Sequence, residues 1–133
     1  MNRELIVLIS LIITASVLAE SDNSESPNTG QFETRCGWFD NPTPGNISLY
    51  DRDGEWIIGV QGGHQVEGDW EWPEFTPERW ARTNVNHGYG CVCLEVQADH
   101  QTHEILAIGK SHAKELKSCQ QDQALKKWKE MFQ

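Results

Sequence analysis

Cys36, Cys91, Cys93 and Cys119 carry the most reactive side chains of this 133-residue chain. Thiols ligate metals, exchange electrons or cross-link. Zinc ribbons use paired Cys-x2-Cys units, and redox catalysis uses a Cys-x-x-Cys motif. Here Cys91-Val92-Cys93 stands between two distant cysteines. That spacing, with an even count, points to two disulfides. Cys91 and Cys93 fall two apart in an alternating, strand-like run, which sets them ~6.6 Å apart with parallel side chains. A disulfide holds its Cβ atoms ~3.5–4.5 Å apart, so these two do not bond each other. One pairs with Cys36 and the other with Cys119, in either of two arrangements.

Carboxylates and aromatic rings form the second constellation. From Glu67 to Glu78 there are five acids and no base, interleaved with Trp70, Trp72 and Phe75. In an extended segment Asp69 and Glu71 share one face while Trp70 and Trp72 share the other. Asp69, Trp70, Glu71, Trp72 and Phe75 are therefore the candidate binding residues. Tryptophan supplies contact area and carboxylates supply steering, which suits a cationic protein or a cell-wall glycan. The competing reading is a loop whose tryptophans cap the core and whose acids are merely solvated. A glycosidase would need two of these carboxylates set across a cleft with different pKa values, and no cleft is legible in the sequence.

His100-Gln101-Thr102-His103 brings two imidazoles close together. Zinc prefers His-x3-His on a helix, and this segment reads as a hairpin tip, so no metal is expected. Were one bound, His100 and His103 would be its first ligands. Asp51-Arg52-Asp53-Gly54 is similar to the centre of a calcium loop, but Leu49 and Val60 fill the first and last ligand positions. There is no Gly-x-Ser-x-Gly elbow, phosphate-binding loop or dinucleotide glycine pattern, and no cofactor is implied. The even cysteine count leaves no free thiol for Cys–His catalysis. These features favour an exported, non-catalytic binding or inhibitor-type protein. A metal-dependent or glycan-cleaving envelope enzyme, or a purely structural envelope protein, is the alternative.

The elements that must position these residues follow from composition and pattern. Acids outnumber bases 20 to 11, for a net charge of -9, which argues against phosphate contacts and a nucleic-acid partner. With 38% hydrophobic residues the chain has material for one modest core. Residues 1–19 have the layout of a secretory signal peptide, an apolar run ending at Val17-Leu18-Ala19, too short and too diluted to span a bilayer. The location expected is periplasmic or secreted, with no stable membrane anchor after cleavage. Residues 20–30 contain no large apolar side chain and read as a flexible leader. Residues 31–133 then form one disulfide-stapled domain.

Within it, Gln31 to Phe39 predicts a strand and Asn41 to Asn46 a turn. Ile47–Tyr50 with Glu55–Val60, and Gly90–Ala98 with Glu104–Gly109, predict two hairpins. Val92, Leu94 and Val96 would face the core. Thr76 and Pro77 predict the start of a short central helix, with Phe75 and Trp80 as a hydrophobic staple. Leu125, Trp128 and Phe132 predict a C-terminal helix over 122–132 with lysines on its other face. The fold class is α+β: a small β-rich domain of two antiparallel hairpins plus an N-terminal strand, with two short helices and two disulfides.

Arg35-Cys36-Gly37-Trp38, Asn41-Pro42-Thr43-Pro44-Gly45-Asn46, Asp51-Arg52-Asp53-Gly54-Glu55-Trp56 and Gly88-Tyr89-Gly90-Cys91-Val92-Cys93 together resemble a known family. It is domain of unknown function family 4087, small exported proteins of Gram-negative bacteria. The resemblance runs from about Arg35 to Leu125. It implies an exported single domain and brings no activity and no catalytic residues.

Overall fold

The computed structural model describes residues 30–133. The expected signal peptide, and all of the expected leader but Gly30, lie outside the described residues. Six strands follow in chain order: β1 (Glu33–Thr43), β2 (Asn46–Asp51), β3 (Gly54–Gly59), β4 (Trp80–Asn84), β5 (His87–Asp99) and β6 (Glu104–Lys114). The two hairpins form where turn chemistry and β-branched runs predict them. The predicted turn at Asn41–Asn46 shrinks to Pro44-Gly45, because β1 runs on to Thr43 and Gly45 supplies the positive φ (75°) of a tight reversal.

The N-terminal strand and the hairpins are not separate units. β1 pairs with β2 on one side and β5 on the other, giving the order β1-β2-β3-β6-β5-β4 with an additional β1–β5 pairing. Strands β1, β2, β3, β6 and β5 thus close into a barrel. The closing seam is a parallel β3–β6 contact with a single register pair, Ile57↔Glu104. This connectivity is that of a five-stranded Greek-key barrel of the oligonucleotide/oligosaccharide-binding type, and fold type alone assigns no ligand. β4 is an addition, paired with the first residues of β5.

Strand alternation sends two apolar sets to opposite sides. Phe39, Leu49, Trp56, Val92, Leu94 and Ile105 fill the interior and are fully buried. Trp38, Tyr89 and Cys91 point outward and are buried all the same, because the C-terminal segment lies over them with Cys119, Leu125 and Phe132. That segment is not the single helix predicted over 122–132. It is α1 (Leu116–Gln120) followed by a short 3-10 helix, Gln123–Trp128. The Asp122 side chain caps the 3-10 helix by accepting from the Ala124 amide, and the Trp128 indole donates to the Asp51 carbonyl at 2.8 Å. Docking along a curved barrel overrides the segment's own α preference.

The predicted central helix is a single 3-10 turn, Pro77–Arg79, and Thr76 makes no side-chain capping bond. The Phe75–Trp80 contact does form, with centroids 4.9 Å apart, but Trp80 already belongs to β4. Extending the chain there satisfies the outer edge of β5.

At the barrel end near the β2–β3 turn, Arg35 is buried over the Trp56 ring, 3.8 Å from its centroid. Its guanidinium bonds Asp51 (2.7 Å), Asp53 (3.0 Å) and Glu33 (3.0 Å). A second Asp51 oxygen takes the Asp53 and Gly54 amides and the Trp56 indole. This is the physical role of Asp51-Arg52-Asp53-Gly54: a self-capped turn tied to a buried ion pair.

Candidate functional site

The disulfides are Cys36–Cys93 and Cys91–Cys119, which settles the arrangement the sequence leaves open. Cys36 and Cys93 are direct cross-strand neighbours, with Cα atoms 4.0 Å apart. Cys91, two residues back along β5 and on the same outer side of the strand, holds α1 to the outer face of the barrel. No cysteine is free, and two disulfides are the mark of an oxidising environment.

The acidic-aromatic segment lies between β3 and β4 as an extended loop over an end of the barrel. Phe39, fully buried, is its anvil. The Trp72 ring stands edge-on to Phe39 at 5.0 Å, Phe75 packs at 5.6 Å and Trp70 at 6.5 Å. Gly90 makes room for Phe75, since a Cβ there would overlap the phenyl ring. Trp70 and Trp72 share one face, as strand alternation predicts, and their rings stack at 5.5 Å. They differ in burial: Trp70 and Phe75 are partly buried against the core, while Trp72 remains 44% exposed. The core-capping reading therefore holds for Trp70 and Phe75, and Trp72 presents its ring to solvent from a rigid base.

Asp69, Glu71 and Glu74 are exposed around it. Among the described residues no ion pair engages Glu67, Asp69, Glu71 or Glu74. Glu78, next along, is held below the usual carboxylate range by its own backbone amide and then by the Thr76 hydroxyl. A cleft of about 690 Å³ separates the loop from β6, with Glu71, Trp72 and Glu74 on one wall and Ser111 and His112 on the other. Arg79 lines its floor, donating to the Ala113 carbonyl at 3.0 Å. The Ser111 hydroxyl donates to the Glu71 carbonyl at 3.4 Å and ties the loop to β6. Ser111 and His112 stand some forty residues beyond the loop, so only the tertiary structure adds them to the site.

His100 and His103 both pack against the Trp56 ring, His100 edge-on at 5.2 Å. The His100 ring contacts a Glu33 carboxylate oxygen at 2.7 Å, and the His103 ring stacks on Trp56 at 4.2 Å with Nδ1 3.1 Å from the Glu55 carbonyl. Both fasten the β5–β6 tip to neighbouring strands. Among the described residues no group of three or more His, Cys, Asp or Glu side chains could hold a metal ion.

The family model for a protein of unknown function, DUF4087, matches residues 30–126. The chain belongs to the DUF4087 family. The DUF4087 match takes in every strand, all four cysteines, the acidic-aromatic loop and most of the 3-10 helix. No curated protein and no solved structure matches the chain. Among the described residues no helix is long and apolar enough to cross a membrane.

Proposed function

We propose that this DUF4087 member is an exported, periplasmic or secreted, non-catalytic binding protein of the inhibitor type. It recognises a basic protein through the acidic-aromatic loop. One observation carries the reading: a half-exposed Trp72, braced by Trp70 and Phe39, stands among carboxylates that form no ion pair among the described residues. Rigid aromatic anchors lose little entropy on binding, and uncompensated charge steers an oppositely charged partner. The -9 net charge extends that field beyond the loop. The partner's lysines or arginines would meet Asp69 and Glu71, and one could lie across the Trp72 face.

Immobilised oxidised protein should retain basic proteins from an envelope extract at low salt and release them as ionic strength rises. Trp72→Ala, and Asp69→Ala with Glu71→Ala, should each weaken retention about tenfold. Salt-insensitive retention, or retention unchanged in both variants, overturns the reading.

A further inference from the structure

A second concavity, of about 500 Å³, lies beneath the C-terminal segment. Its volume falls within the ~300–1,000 Å³ range of small-molecule sites. The floor is apolar and made of residues that are themselves almost fully buried, Trp38, Leu125 and Phe132. Trp38 and Phe132 stack at 5.2 Å, so the floor is rigid. The wall comes from the 3-10 helix. With about three residues per turn, positions three apart eclipse one another, which places Gln123, Lys126 and Lys129 in one column along the cavity, and all three line it.

The electrostatics of this wall are opposite to those of the rest of the protein. Lys127 turns away to bond the Arg52 carbonyl and lies over Trp128. Among the described residues no ion pair or side-chain hydrogen bond engages Lys126 or Lys129. The one acidic side chain lining the cavity, Asp122, is bonded to the Ala124 amide at 2.9 Å. Gln133 also lines the cavity, and its main-chain oxygen accepts from the Tyr89 hydroxyl.

We propose that this cavity binds a small amphipathic anion, its apolar body against Trp38, Leu125 and Phe132 and its charged head between Lys126 and Lys129. The chemical class is a monocarboxylate or related acid with a medium-length hydrocarbon or aromatic body. A free fatty acid and the acyl end of a larger acidic lipid share that chemistry. The site is independent of the acidic-aromatic loop in both residues and charge.

The test is titration calorimetry of octanoate into the oxidised full chain, with 1-octanol as the uncharged comparator. Octanoate should bind one to one, and octanol about fivefold or more weakly. Lys126→Gln with Lys129→Gln should raise the octanoate Kd about tenfold, as loss of two charge contacts in a half-open site requires. Gln123→Trp, a change at an exposed wall position, should fill the cavity and abolish binding without touching the core. Glu71→Gln with Glu74→Gln should leave octanoate affinity unchanged, which separates this site from the loop. Absence of saturable binding at millimolar octanoate, equal affinity for octanol, or a Kd unchanged by the double lysine substitution overturns the proposal.

Discussion

Asp40 sits half-buried on β1, in register with Ser48 of β2. The Ser48 hydroxyl donates to Glu55 of β3 at 2.8 Å, so one row of polar groups crosses three strands on the outer face. Burial, and then the Glu55 charge, push the Asp40 carboxyl up to about 6 from 3.8. The same two causes, in the same order, raise the Tyr50 hydroxyl. Between its unfolded and folded values Asp40 holds more proton in the native state than in the unfolded chain. Its contribution to stability is therefore full below the lower value and is lost as pH rises through about 6. Asp40→Asn should flatten that arm of the stability profile and exceed the wild type at neutral pH by about 1 kcal/mol, after discounting for the half-exposed site. Urea unfolding midpoints across the acidic range check it. Nothing in the sequence around Asp40 marks it, because the groups that flank it, Ser48 of β2, Glu55 of β3 and Tyr89 of β5, are distant in the chain.

At the scale of the element, Val85 in the β4–β5 turn adopts φ +50°, a region β-branched residues avoid, and its side chain is 72% exposed. Val85→Asn should relieve that strain without removing a contact and raise stability by about 1 kcal/mol, read as a shift in thermal midpoint. Elements with strong local turn chemistry, such as Asp51-Arg52-Asp53-Gly54 and Pro44-Gly45, were legible because the turn residues decide the backbone unaided. The two helices were not. Leu125, Trp128 and Phe132 fit an α-helical face equally well in sequence, and only docking on Trp38, Tyr50 and Tyr89 selects the tighter 3-10 path. Trp80 has the spacing of a staple residue and makes the staple's contact from a strand. The loop's composition and face-sharing were visible, but the different burial of Trp70 and Trp72 was not, since both alternate identically in sequence and both rings contact Phe39. The lysine column depends on the 3-10 pitch and was hidden for the same reason.

For the whole molecule, the disulfides divide the labour. Cys36–Cys93 closes a 57-residue separation within the barrel, and Cys91–Cys119 closes 28 residues and fastens the C-terminal segment. Each is worth about 3–4 kcal/mol on chain-entropy grounds. The losses should differ in kind. Cys91→Ser with Cys119→Ser should release α1 and the tail and uncover Trp38, reducing near-ultraviolet ellipticity while far-ultraviolet strand signal persists. Cys36→Ser with Cys93→Ser should lower the cooperative melting of the barrel itself. Scanning calorimetry beside circular dichroism distinguishes them. The β3–β6 junction adds a further asymmetry. Every other stave of the cylinder is paired along several residues, whereas this one has the single register pair Ile57↔Glu104, with the Ile57 amide bonded to the His103 carbonyl at 2.8 Å and the His103 ring 3.1 Å from the Glu55 carbonyl. Breathing of the native state should begin there. In deuterium exchange, peptides spanning Ile57 and Glu104 should take up label well before those of β1 and the middle of β5, and the cylinder should unzip into a curved sheet before it melts.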